Sequence, residues 1–220
     1  MEARTDLDAK AGVTAEPVPF LLDIDGTLVD SRHVVEDAWR EVAARFGADA
    51  DAILAVCHGL RDEDAVARFF PEPLRAAVVD HIAAIEQERA ADVVAMAGAQ
   101  RFLAGLTPGR WAAVTSGSRR LMTARLRGAG LPVPAVFVTA DDVRHGKPHP
   151  EGYLAAAAQL GADIKECVVV EDSPTGVVAG RAAGAFVVGL AADPAALTEA
   201  DVVVRTIADV PRAVAGRRDS

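Results

Sequence analysis

At 220 residues the chain has room for one good-sized domain, or one domain carrying a smaller insertion. A hydrophobic share of 51% beside 25% charged residues excludes a disordered chain, and the net charge of −9 argues against a nucleic-acid partner. It leaves an anionic small molecule open, because local cations decide that.

Residues 1–16 mix charges without the apolar core of a signal peptide and read as a polar tail ending at Pro17-Val-Pro19. No uncharged apolar stretch reaches the roughly 18 residues of a membrane span. Cys57 and Cys167 stand far apart, with neither metal nor disulfide spacing. A cytoplasmic protein with two buried, reduced thiols is expected.

The first predicted strand, Phe20-Leu-Leu, stops at Asp23-Ile-Asp-Gly-Thr-Leu-Val-Asp30. Two carboxylates at the end of a buried strand repel, and burying them is costly unless a cation or hydrogen bonds compensate. A divalent metal resolves the conflict and leaves one carboxylate as nucleophile and the other as acid/base. An EF-hand loop counted from Asp23 fails, since its sixth position is Leu28 instead of Gly and its twelfth is Val34 instead of Glu. A solvated turn explains Gly26 but not the apolar residues on both sides.

Helical spacing follows. Val35, Ala38, Trp39, Val42 and Phe46 run to Gly47, Asp62–Phe70 forms a shorter helix before Pro71, and Leu74 to Ile85 forms another. No segment between the first strand and Trp111 reads as a strand, and the stretch exceeds what a crossover needs. The prediction is a helical cap over 31–95, inserted between 17–30 and 96–220 of a core domain.

In that core, strands are predicted at Trp111–Thr115, Ala135–Thr139, Cys167–Glu171, Ala185–Leu190 and Asp201–Val204. Between them lie helices Arg119–Arg127 and Glu151–Leu160, the latter closed by Gly161. A third, capped by Ser173 with Pro174 first, ends near Gly184. Apolar strands alternating with helices predict an α/β fold: a Rossmann-like parallel sheet covered on both faces, with a small α-helical cap after strand 1. Gly176, Gly180 and Gly184 suit close packing of that third helix on the sheet.

Ligands of open parallel sheets bind beyond the strands' carboxyl ends. Those ends deliver Asp23 and Asp25, then Ser116-Gly117-Ser118 at a helix start, then Gly146-Lys147-Pro148, then Glu171-Asp172. Acids, a hydroxyl with helix amides and one lysine thus converge on one edge. Ser116 with the Gly117 and Ser118 amides suits phosphate oxygens. Lys147 suits the neutralisation of phosphate and carboxylates. Asp23, Asp172 and a carbonyl of Asp25 form an oxygen-only set fitting Mg²⁺, with Glu171 in support behind them.

The segments Asp23-Ile-Asp-Gly-Thr-Leu-Val-Asp30, Val114-Thr-Ser-Gly117, Gly146-Lys-Pro-His-Pro-Glu151 and Val170-Glu-Asp-Ser-Pro-Thr-Gly176 resemble the four motifs of the haloacid dehalogenase superfamily. The likeness is to its phosphatase and phosphomutase branch with a helical cap. Around Cys57–Ala65 and Val136–Ala140 the chain is most similar to sugar-phosphate and glycerol-phosphate phosphatases. The resemblance implies that Asp23 attacks phosphorus and forms an aspartyl-phosphate. It implies that Asp25 protonates the leaving alcohol and then activates water, that Ser116 and Lys147 hold the phosphoryl group, and that Asp172 holds Mg²⁺.

Substrate choice falls to the cap, where His58 and Arg61 are candidate contacts; Arg61 is equally able to pair with Asp62 to Asp64. The expected partner is a small phosphorylated metabolite, with neither nucleic acid nor membrane, for a monomer or weak homodimer. Three alternatives stand beside the phosphatase. A mutase of the β-phosphoglucomutase type carries a histidine twelve residues after the nucleophile, where this chain has Val35, with His33 two positions early. A dehalogenase lacks the second acid. A non-catalytic phospho-ligand sensor would keep the fold without turnover.

Overall fold

The computed structural model describes residues 17–216, so the predicted 1–16 tail lies outside the described residues. In chain order come β1 (Phe20–Leu22), β2 (Val29–Asp30), α1 (Arg32–Phe46), α2 (Ala50–Leu54), α3 (Asp62–Phe69), α4 (Glu72–Glu88), β3 (Val94–Ala95) and α5 (Ala99–Ala104). The remainder are β4 (Trp111–Val114), α6 (Arg119–Gly128), β5 (Val136–Val138), α7 (Glu151–Gln159), β6 (Val168–Glu171), α8 (Pro174–Ala183), β7 (Phe186–Leu190), β8 (Val202–Val204) and α9 (Val210–Gly216).

Six strands form one parallel sheet in the order β5-β4-β1-β6-β7-β8. The chain winds outward from β1 through β4 to β5, then returns to β6 on the other side of β1. The order therefore reverses at β1, and a crevice opens where successive connections leave on opposite faces. Register is tight: Leu22 lies opposite Ala113 of β4 and Val170 of β6.

Side chains alternate across the sheet. Leu22, Ala113, Val168 and Val170 join one apolar layer with Phe102, Leu126 and Val210, whereas Leu21, Ala112 and Val169 join the other with Tyr153, Ala156 and Val177. Each buried Val or Leu contributes about 1.5–3 kcal/mol. The predicted strands match the observed ones to within a residue or so at each end. Helix α8 begins as expected, with Ser173 Oγ accepting from the Gly176 amide and Pro174 first, and Gly184 closes it at φ 92°. At Gly180 a Cβ would stand 2.9 Å from Val187 Cγ2 and 3.0 Å from Val169 Cγ1, which is the close helix-on-sheet packing the glycine spacing predicts.

Helices α1 to α4 gather round a third apolar cluster of their own, with Trp39, Val42, Ile53, Val66, Phe70, Val78 and Ile82 buried in it. One expectation needs correcting. The segment before Trp111 does contain strands: β2 pairs antiparallel with β3, Val29 opposite Ala95 and Asp30 opposite Val94. This ribbon ties together the two points where the helical segment leaves and rejoins the sheet. Two-residue strands carry too little alternation to register as a pattern.

Among the described residues no helix is long and apolar enough to cross a membrane. Cys57 and Cys167 are both buried, and neither forms a disulfide.

Candidate active site

Asp23 follows β1 directly, its amide bonded to the Val170 carbonyl at 3.1 Å, so its side chain emerges at the strand-order reversal. Lys147 reaches it from the loop between β5 and α7: its Nζ donates to Asp23 Oδ1 at 2.5 Å and lies 2.6 Å from Glu171 Oε1. All three side chains are buried. Burial opposes the ammonium, but Asp23 and Glu171 together outweigh it and hold Lys147 protonated beyond its ordinary range. Asp23 is pushed well above the usual carboxylate range by burial, with Lys147 opposing and Glu171 and Asp172 reinforcing.

Glu171 is fully occupied. Its Oε1 accepts from Tyr153 Oη at 2.8 Å, and its Oε2 accepts from the amides of Asp172 and Ser173 and from Ser173 Oγ. It holds Lys147 in place and has little left to offer a ligand. Asp172 is freer: its carboxyl is pushed up to about 7 by burial, with Glu171 beside it adding to the effect. The turn after β1 is shaped around it. Gly26 has φ 81°, and a Cβ there would stand 2.0 Å from Asp172 Oδ2, so glycine alone lets backbone and carboxylate approach.

Asp23, Glu171 and Asp172 each present an oxygen within 4.8 Å of the others. Three carboxylates gather round one ammonium, with Arg32 acting on Asp172 as well, and the donors are all oxygen. That set fits Mg²⁺.

Asp25 lines the same crevice as Asp23, Ser116, Gly117, His58 and Asp172. The crevice is narrow, with a cavity volume of about 80 Å³, below the roughly 300–1,000 Å³ usual for drug-sized ligands. Ser116 Oγ donates to the Gly59 carbonyl at 2.8 Å, across to the helical segment. Ser118 Oγ accepts from the Leu121 amide as N-cap of α6, which ties its oxygen to the helix start. His58 faces the crevice as a neutral imidazole, its pKa lowered by burial and by Arg32.

Arg61 stands elsewhere. Its Nε and Nη2 bind both oxygens of Asp64 at 2.8 and 3.0 Å, and its Nη1 donates to the Arg144 carbonyl at 3.1 Å. Local pairing, open in the sequence, is what the structure adopts; Arg61 ties the helical segment to the Lys147 loop and lines a neighbouring pocket. His33 also points away, its Nε2 3.0 Å from the Asp92 carbonyl, while Val35 occupies the crevice wall.

Sequence reasoning missed Arg125. This residue of α6 is 2% exposed, donating from Nη1 to Asp25 Oδ2 at 2.9 Å and from Nη2 to Glu86 Oε1 of α4 at 3.0 Å. One signal was there: position 125 falls on the apolar face shared by Leu121, Met122 and Leu126, and an arginine there needs buried acids.

A haloacid dehalogenase-like hydrolase profile matches residues 20–184. Hexitol phosphatase A of Escherichia coli is 41% identical over 201 residues, covering 87% of this chain and 92% of its own. Glycerol-1-phosphate phosphohydrolase 2 of Saccharomyces cerevisiae is 34% identical, covering 82% and 79%. A hydrolase from Pseudomonas syringae superposes with a TM-score of 0.81 at 26% identity, over 90% of this chain and 98% of its own.

The chain belongs to the haloacid dehalogenase-like hydrolase family. Within that class it is an enzyme, a phosphoric monoester hydrolase.

Proposed function

We propose that the chain hydrolyses a small phosphorylated polyol or sugar in a Mg²⁺-dependent reaction through an aspartyl-phosphate on Asp23. The observation that carries this is the crowding of acids at the strand ends, where Asp23, Glu171 and Asp172 gather round the Lys147 ammonium. Asp23, Asp172 and the Asp25 carbonyl would hold Mg²⁺, which when bound neutralises charge on the phosphoryl oxygens.

The chain's own residues divide the remaining work. Asp23 is the nucleophile, and Lys147, fixed by Glu171, lies against the attacking carboxylate and balances the incoming phosphate. Ser116 and the amides of Gly117 and Ser118 take phosphate oxygens at the start of α6. Asp25 gives its proton to the leaving oxygen and later takes one from the attacking water, a contribution of about 10²–10⁴-fold. Helices α1 to α4 act as the cap that gates access, with His58 facing the substrate.

Relatives named for hexitol and glycerol-1-phosphate support a polyol or sugar phosphate. A mutase reading is weakened by Val35 in the crevice wall and by the turning away of His33. The test is phosphate release from hexitol phosphates, glycerol phosphate, sugar phosphates and nucleotides, with and without Mg²⁺. Turnover of polyol and sugar monophosphates that chelation abolishes supports the proposal. Absence of turnover across the panel overturns it in favour of a sensor.

A further inference from the structure

We infer that Arg125, held by Glu86, is a positioning residue for Asp25: it fixes one carboxylate oxygen and so dedicates the other to proton transfer. The inference rests on the role proposed above for Asp25. Arg125 Nη1 binds Asp25 Oδ2 at 2.9 Å, whereas Asp25 Oδ1 is buried with no hydrogen-bond partner. A buried carboxylate oxygen without a donor is costly and marks an atom reserved for something else. Both Asp25 and Arg125 line the crevice that holds Asp23.

The guanidinium is itself oriented from the far side. Glu86 Oε1 of α4 takes Nη2 at 3.0 Å, so one planar group spans a carboxylate of the sheet edge and a carboxylate of the inserted helices. Nothing in the chain's local order brings these three together; residues 25 and 125 are 100 positions apart. Arg125 Nε is left without a partner, which argues that the side chain is placed for its two ion pairs and not for maximal internal bonding.

As an Asp23 oxygen bonds phosphorus, the bond from phosphorus to the substrate oxygen breaks, and that oxygen takes the proton carried on Asp25 Oδ1. In the second step Oδ1 receives a proton from water as the water oxygen bonds phosphorus and the Asp23 carboxylate leaves. Throughout, Oδ2 stays on Arg125, so the same atom faces both leaving group and water.

The experiment compares two leaving groups by kcat/KM, which reports steps through the first phosphoryl transfer. An alkyl phosphate such as glycerol phosphate needs a proton on its leaving oxygen; p-nitrophenyl phosphate does not. Arg125→Met is expected to lose about 10²-fold on the alkyl ester while losing less than about threefold on the aryl ester. Arg125→Lys is expected to fall between Arg125→Met and wild type on the alkyl ester, because an ammonium restores charge but not the two-pronged bridge. Glu86→Gln is expected to show the same leaving-group bias, more weakly.

Equal losses on both esters, or no loss on either, overturns the positioning role. If Arg125→Met does not fold, Arg125→Lys and Glu86→Gln decide by the same ratio. Asp25→Ala separates the two readings: if it lacks the leaving-group bias, the acid/base role fails; if it has the bias and the Arg125 variants lack it, only this inference fails.

Discussion

Lys147 Nζ lies 2.5 Å from Asp23 Oδ1 across 124 residues of chain, and the same ammonium lies 2.6 Å from Glu171. Removing it leaves buried carboxylates facing one another without a cation. Lys147→Ala is therefore expected to cost about 3–5 kcal/mol in the cation-free protein and to abolish turnover. Denaturant melts with and without Mg²⁺ check this: added Mg²⁺ is expected to recover part of the loss, since it supplies the missing positive charge.

Asp23→Asn runs the other way. It removes one of three crowded acids while keeping the shape, so the cation-free variant is expected to melt higher than wild type even as kcat falls more than about 10³-fold. Calorimetry beside a phosphate-release assay reads both. A variant with substantial turnover would rule out the covalent route, and one that melts lower would mean that Asp23 contributes more through Lys147 than it costs by repulsion.

The pH dependence of cation binding follows from Asp172. Its carboxyl in the folded, cation-free protein is pushed from 3.8 up to about 7, by burial first and by Glu171 second. Between those values the folded state holds a proton the unfolded chain has released, so this group lowers stability as pH rises through that window. In the proposed site Mg²⁺ displaces the same proton. Its stabilising effect on the melting temperature is thus expected to be larger at about pH 8 than at about pH 6, and a thermal-shift titration at both values checks it.

Gly26→Ala places a Cβ where Asp172 Oδ2 now stands, 2.0 Å away, and forces alanine to φ 81°. Asp172 must move to accommodate it. Weaker Mg²⁺ affinity by at least about tenfold is expected, with a fold loss of about 1–2 kcal/mol from the left-handed backbone alone. Isothermal titration with Mg²⁺ measures the first and chemical denaturation the second.

Much of this is legible in the amino-acid sequence because the relevant signals are local. Continuous apolar runs ending in Asp23, Thr115, Thr139 and Glu171 mark buried parallel strands, and the polar residues that follow mark their carboxyl ends. What escaped depends on distance. Arg125 resembled its neighbours Arg119, Arg120 and Arg127, and its partners Asp25 and Glu86 lie 100 and 39 residues away. The β2–β3 ribbon is too short to show a period. Arg61 presented two partners of equal merit in the sequence, and only the fold brings the Arg144 carbonyl within reach to settle its orientation.

The contact between Ser116 Oγ and the Gly59 carbonyl at 2.8 Å joins the loop after β4 to the segment carrying α1 to α4. Thr175 Oγ1 adds a second, longer tie to the His58 carbonyl at 3.4 Å. Ser116 cannot spend its one proton on Gly59 and on the phosphate oxygen proposed for it together, so on that reading ligand binding and release of this tie are linked. Ser116→Ala removes both. A higher KM is expected, and so is easier opening of the crevice in the empty enzyme. Cys57 reports the opening: it lies in the crevice wall at 6% exposure, with its thiol pushed up to about 12 by burial. In a Cys167→Ser background, Ser116→Ala is expected to speed alkylation of Cys57 by about two- to tenfold, the worth of one net hydrogen bond. An unchanged alkylation rate beside a raised KM would mean that Ser116 serves the phosphate alone and that the helical segment is held shut by its other contacts.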